Sequence, residues 1–326
     1  MHRRTFIALL GSTGATVAGP ARAQASLPVV GYLSLSSADA PSGPLEAVHL
    51  GLKQAGYAVG QKVRFEYRYA DNDVGKLPAL ARELAALPVD VIITSGGPSS
   101  VAAAKAATST IPIVFAPVSD PVAMGFVDSL NRPGRNITGV AALTTELDPK
   151  RLELLNELVP AQGPFGVLLN PSRPDAAMQA EAIRTAARAL GRDLAFVQAA
   201  TAAEIEPALA SLARQSPLAV LVGADPLFTG RRKEVVALMA RRGWPAIYQW
   251  REFVEDGGLA SFGPNLFDSY RQVGLFVARV LGGEKPAQLP VQQPTRFEFV
   301  LNLRTARALG LAVPVALLSR ADEVID

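Results

Sequence analysis

The sequence has no cysteine and only two histidines, His2 and His49, in 326 residues. The missing cysteines exclude disulfides, thiolate metal sites, iron–sulfur clusters and cysteine nucleophiles. His2 lies in a segment read below as removed, and His49 alone cannot build a multi-histidine zinc site; a Ser-His-Asp triad could draw only on His49, which falls inside the first helical pattern. No GxGxxG follows a strand-like run, and no GxxxxGK[ST] occurs anywhere, so neither a dinucleotide fingerprint nor a phosphate-binding P-loop is present. No cofactor and no metal are expected. Outside the N-terminus the apolar runs are of strand length, and no membrane span is expected in the mature chain.

What the sequence does have begins with a targeting pattern. Arg3 and Arg4 precede an apolar stretch diluted by Gly11, Ser12, Thr13 and Gly14, and Ala21-Arg22-Ala23 supplies a small-x-small cleavage site. Residues 1–23 read as an export signal of twin-arginine character, too short in apolar length to cross a ~30 Å hydrocarbon core. The chain holds 32 basic and 29 acidic residues; residues 1–23 carry three arginines and no acid, which leaves 29 of each sign. An electrically balanced mature chain has no footprint for nucleic acid or anionic lipid. Without a cysteine after the cleavage site there is no lipid anchor. These features together predict a protein exported to the periplasm, soluble and not lipid-anchored, and a monomer is expected.

From Pro28 the chain alternates between strand and helix patterns. Residues 29–35, 62–69, 90–94 and 111–117 read as strands, separated by helical patterns at 44–54, 77–87 and 99–108. The second half repeats this with strands at 165–170, 193–197, 218–223 and 245–249 and helices at 175–190, 202–215 and 229–242. A strand at 258–262, a helix at 265–281, a strand at 297–301 and a short helix from Arg304 follow. Strands apolar on both faces, separated by helices, predict parallel sheets covered on both sides. The expected fold class is α/β, with two Rossmann-like doubly wound lobes.

Ligands of open parallel sheets bind beyond the carboxyl ends of the strands. Those positions hold Ser34, Ser36, Ser37 and Asp39 after the first strand, Thr94 to Ser100 after the third, and Ser119 with Asp120 after the fourth. The second half offers Asn170 with Ser172, then Asp225, then Tyr248, Trp250 and Arg251. In the segment Ser95-Gly96-Gly97-Pro98-Ser99 two glycines allow close approach to the backbone, and Pro98 suits a first helical turn. The helix N-terminus that follows would present free N–H groups to a carboxylate or phosphate; an ordinary strand-to-helix turn capped by serine is the alternative. Asp120 and Asp225 can serve as paired acid–base carboxylates, bind a ligand ammonium or cap helices. Arg251 can form a surface ion pair with Glu252 or clamp a carboxylate. Tyr248 and Trp250 can be core packing or a pocket wall.

Several long segments carry a family resemblance: LPALARELAALPVDVIIT, AAKAATSTIPIVFAPVSDPVAMGFVDSLNRPGRNITGV, YQWREFVEDGGLASFGPNLFDSYRQVG and FEFVLNLRTARALGLAVPVALLSRADEVI. Over nearly the whole mature chain the sequence resembles the substrate-binding proteins of ABC transporters with a type I periplasmic-binding fold, a family that includes aromatic amino-acid binders. The resemblance implies no catalytic activity, a small-molecule ligand closed between two lobes, and delivery to an ABC permease in the inner membrane. It implies a pocket from Ser34, Ser36, Ser95, Gly96, Pro98, Ser99 and Asp120 in one lobe, and from Asn170, Asp225 and Tyr248 in the other, to which the strand-end position adds Arg251. Following the family, the lobes are expected to be discontinuous, residues 28–142 plus 252–285 and residues 143–251 plus 286–326, with the hinge near 139–143, 249–252 and 283–289. A periplasmic sensor docking on a membrane receptor would share fold and pocket, and an exported hydrolase or lyase would need a base and nucleophile that the inventory hardly provides.

Overall fold

A computed structural model describes residues 26–39 and 42–326; the expected export signal lies outside these residues. The first lobe contains β1 (Val29–Ser34), α1 (Gly43–Gln54), β2 (Arg64–Tyr69), α2 (Leu77–Ala86), β3 (Val91–Ser95), α3 (Pro98–Ala107), β4 (Ile113–Val118) and β5 (Ile137–Ala141). Its five strands are all parallel, in the order β2-β1-β3-β4-β5. Every residue of β1, β3 and β5 is buried, as expected of a sheet covered on both faces.

The second lobe runs through α4 (Asp148–Leu158), β6 (Phe165–Leu169), α5 (Ala176–Leu190), β7 (Leu194–Gln198), α6 (Ala202–Ala213), β8 (Ala219–Val222), α7 (Pro226–Gly230), α8 (Arg232–Arg242), β9 (Ala246–Tyr248), α9 (Arg251–Glu255) and β10 (Ala260–Pro264). After α10 (Leu266–Leu281) come β11 (Phe297–Asn302), α11 (Leu303–Ala308), α12 (Val315–Leu318) and β12 (Glu323–Ile325). This seven-stranded sheet is ordered β12-β11-β10-β9-β8-β6-β7, with β11 antiparallel to β10. Helices α5 and α8 end at Gly191 and Gly243, both in the left-handed conformation at φ 64, the usual helix stop. The helix expected over 229–242 is interrupted at Arg231 and forms α7 and α8.

The chain crosses between lobes elsewhere than expected. Strand β10, assigned above to the first lobe, pairs with β9 through Ala260–Ile247 and Ser261–Tyr248 and so extends the second sheet. Phe253 of α9 is likewise buried in the second lobe's core. The return to the first lobe comes after Pro264, and α10 then packs on α1. That contact depends on two glycines. A Cβ at Gly51 would lie 2.0 Å from the Arg271 carbonyl oxygen, and one at Gly274 would lie 2.2 Å from that of Val48. Residues 286–292, assigned above to the second lobe, remain on the first: Leu289 and Val291 are buried there, and Gln292 bridges to Val140. The lobes are therefore approximately 28–142 plus 265–292 and 143–264 plus 293–326.

Leu143, in the first crossing, sits at φ 52, a conformation that costs a branched-chain residue energy. Beside it lies Arg151 of α4, wholly buried and ion-paired with Asp148. Its Nε donates to the Phe262 carbonyl at 2.8 Å and its Nη2 to the Thr144 carbonyl at 2.6 Å. Gln179 Nε2 donates to the other Asp148 oxygen at 2.8 Å. One guanidinium thus joins the first crossing to the strand that leads into the second.

Candidate functional site

The carboxyl ends of both sheets face a common cleft of about 570 Å³, a volume in the range of small-molecule sites. On the first-lobe side the floor is the turn Ser95-Gly96-Gly97 leading into α3. Gly96 and Gly97 have φ of 86 and 94. A Cβ on Gly96 would meet Leu35 Cβ at 2.6 Å, and one on Gly97 would meet Pro226 Cγ, in the opposite lobe, at 2.7 Å. No side chain caps the N-terminus of α3, so the serine-capped alternative does not hold and its first N–H groups are left free. Ser95 Oγ lies 2.9 Å from the Tyr270 hydroxyl of α10, which fixes the wall formed by Tyr32, Tyr69 and Tyr270. Burial pushes the Tyr32 and Tyr270 hydroxyls up from the ordinary tyrosine value, so both are neutral donors.

The second-lobe wall rises from the ends of β6, β8 and β9. Asp225 is the N-cap of α7: its Oδ1 accepts from Leu227 N at 2.7 Å and from Asn170 Nδ2 at 3.2 Å. Its Oδ2 lies 3.8 Å from Arg173 Nη1. Arg173, in the turn after β6, is held by Asp175 through two hydrogen bonds of 2.7 and 2.6 Å. Burial raises the Asp225 carboxyl above its ordinary value, and the Arg173 charge and the Asn170 hydrogen bond work against that rise. Leu45, Trp250, Leu266 and Phe267 also line the cleft, apolar side chains suited to a flat hydrocarbon group.

Of the expected site residues, the structure brings Ser34, Ser36, Ser95, Gly96, Pro98 and Asp225 to the cleft. Asn170 stands behind Asp225 and orients it. Ser99, the second residue of α3, is not part of the cleft wall. Asp120 caps its own turn, accepting from Val122 N and Ala123 N at 2.9 Å each, and borders a separate hollow with Met124, Glu146 and Asp175. The ladder between β4 and β5 slips between Phe115 and Val118, and beyond the slip Ser119 lines the cleft but Asp120 does not. Tyr248 is core: 1% exposed, it stacks on Phe253 at 4.6 Å with a 12° interplanar angle. Arg251 forms ion pairs with Glu255, Glu298 and Glu323 away from the cleft, and does not pair with Glu252. The strand-end rule should also have found Tyr69, Gln249 and the turn carrying Arg173. Tyr32 and Tyr270 lie within a strand and a helix, and only packing brings them to the wall.

The double role of Asp225 sets an expected result. Asp225→Ala removes an N-cap and one of the two carboxylates beside Arg173, so the thermal midpoint should fall by about 2–6 °C. Asp225→Asn keeps a capping oxygen and should recover part of that loss. Scanning calorimetry of both variants measures it, and an unshifted Asp225→Ala midpoint would contradict this geometry.

Among the described residues, no group of three or more metal-ligating side chains gathers, and no helix is long and apolar enough to cross a membrane. The chain is 27% identical over 260 residues to a tyrosine-binding protein of Clostridioides difficile, covering 80% of this chain and 74% of that one. It superposes with a TM-score of 0.84 on an ABC domain in complex with L-Trp from Streptococcus pneumonia, at 25% identity, covering 92% of this chain and 100% of that one. Against the ligand-free, open structure of a substrate-binding protein with adhesive properties from Clostridium difficile the TM-score is 0.66, at 26% identity, covering 92% and 99%. At 25% against 26% identity the fit is better to the ligand-bound structure, in accord with the close approach of Gly97 to Pro226 across the cleft. The model of the ABC transporter substrate binding protein family matches residues 33–325, and the chain belongs to that family, which is one of binding proteins rather than enzymes.

Proposed function

We propose that this protein is the exported solute receptor of an ABC importer, that it captures an aromatic amino acid between its lobes in the periplasm, and that it passes the ligand as a monomer to a permease in the inner membrane. The observation that carries the reading is the make-up of the cleft: an uncapped helix N-terminus from one lobe, a buried carboxylate from the other, and rings among the lining side chains. The α-carboxylate is assigned to the Gly96-Gly97 turn that opens α3, where the helix dipole favours an anion. The α-ammonium is assigned to Asp225 Oδ2, and the aromatic side chain to the apolar side chains that include Trp250 and Phe267. The tyrosine-binding relative and the L-Trp complex support an aromatic amino acid as the ligand. The export pattern of residues 1–23 supports the location.

Titration calorimetry with L-tyrosine and L-tryptophan against their amides tests the assignment. The carboxylate makes charge-assisted hydrogen bonds that the amide cannot, so each amide should bind about tenfold to a hundredfold more weakly. Equal affinity of acid and amide would remove the α3 turn as the carboxylate site.

A further inference from the structure

Gln249 follows β9 at the rim of the second-lobe wall, is 1% exposed and lines the cleft. Its amide orientation follows from proton counting. Thr229 Oγ1 donates its hydrogen to the Asp225 carbonyl at 2.8 Å. A hydroxyl has one proton, so toward Gln249 the same oxygen can only accept. The Gln249 atom 2.9 Å from it is therefore the donor Nε2, and the amide oxygen is the other one. That oxygen, Oε1, is buried without a partner in the protein. Glu252, in the same wall, also buries an oxygen, Oε2, that has none. Native interiors rarely leave buried acceptors unpaired without a reason. Trp250, the next residue along, is 7% exposed and lines the same cleft, so an aromatic ligand and Gln249 share one wall.

We propose that Gln249 is a specificity-determining residue: its Oε1 accepts a hydrogen bond from an O–H or N–H on the ligand's aromatic side chain, so the site selects donor-bearing rings over plain hydrocarbon ones. The inference rests on the amino-acid reading above, with the ammonium held by Asp225. A site built to pair with a polar group rejects the analogue that lacks it, because its own buried group is then left unpaired.

The experiment measures L-tyrosine, L-tryptophan and L-phenylalanine by calorimetry on the full mature chain and on its Gln249→Met and Gln249→Glu variants. The wild type should bind L-tyrosine or L-tryptophan about tenfold or more tighter than L-phenylalanine. Gln249→Met should close that gap by weakening the donor-bearing ligand, leaving L-phenylalanine as tight or tighter. Its ligand-free thermal midpoint should change little, since methionine fills similar space and removing the unpaired acceptor offsets the lost Nε2–Thr229 bond. Gln249→Glu keeps an acceptor and should keep the discrimination. Equal wild-type affinities for the three, or a Gln249→Met variant that weakens all three alike, would overturn the inference and leave the amino-acid reading standing. Should none of the three bind the wild type, the amino-acid reading falls and this inference with it.

Discussion

Arg151→Ala is expected to destabilise the protein by about 3–5 kcal/mol, because it leaves the Asp148 carboxylate buried without its counter-charge. Burial alone pushes the Asp148 carboxyl up from its ordinary value, and Arg151 is the first of the groups that oppose that rise. The truncation also strips donors from the Thr144 and Phe262 carbonyls, in the first lobe crossing and in the strand that leads to the second. At about 2–4 °C per kcal/mol the midpoint should fall by roughly 10 °C. Removing both charges together, as Asp148→Asn with Arg151→Met, should recover a large part of the loss, since the cost arises mainly from an unpaired buried charge. Thermal denaturation of the three proteins measures this. A single mutant as stable as the double would show that the pair does not behave as a buried ion pair.

Gly97→Ala is expected to weaken ligand binding by about a hundredfold while leaving the chain folded. Gly97 holds φ 94 and ψ −170, a region of backbone space open almost only to glycine, at a cost of about 1–3 kcal/mol for other residues. The added Cβ would also come within 2.7 Å of Pro226 Cγ in the second lobe. The backbone strain acts in every state of the protein, whereas the collision occurs only when the lobes are shut. The mutation therefore shifts the open–closed equilibrium toward open and reduces apparent affinity by the lost closed fraction. Small-angle scattering with saturating L-tyrosine or L-tryptophan should show the wild type contracting and Gly97→Ala contracting less. Pro226→Ala in the Gly97→Ala background removes the opposing Cγ and should restore closure and part of the affinity. Full wild-type affinity in Gly97→Ala would mean that the two residues do not meet in the bound state.

Local pattern accounts for much of this protein. The apolar runs of β1, β3 and β6 mark strands buried on both faces, and the strand–helix alternation makes parallel, doubly covered sheets. Gly191 and Gly243 end their helices for a reason a single residue carries, the ease of a left-handed φ. The strand-end rule reached Ser34, Ser95, Gly96 and Asp225 because a parallel sheet places every such turn on one side, whatever its partners. Strand β5, helix α4 and the short β12 were not anticipated, and α4 brings Arg151.

What the local pattern leaves open is pairing at a distance. Residues 258–262 read as a strand in either lobe, and the free edge of β9 decided which sheet took them. The paired glycines at 51 and 274 decided that α10 returns to α1, a match between two helices more than two hundred residues apart in the chain. Tyr248 and Trp250 have the same apolar character in sequence, yet one went to the core and the other to the cleft, because the strand ends between them at Tyr248. Arg251 and Asp120 have charges suited to a ligand, but the first is taken up by glutamates of α9, β11 and β12 and the second by the N–H groups of its own turn. Composition and periodicity determined two α/β lobes and the side of each on which a ligand can sit. Which side chains close on it was decided by tertiary packing, because hydrogen-bond partners and burial belong to surfaces that exist only once the lobes have formed.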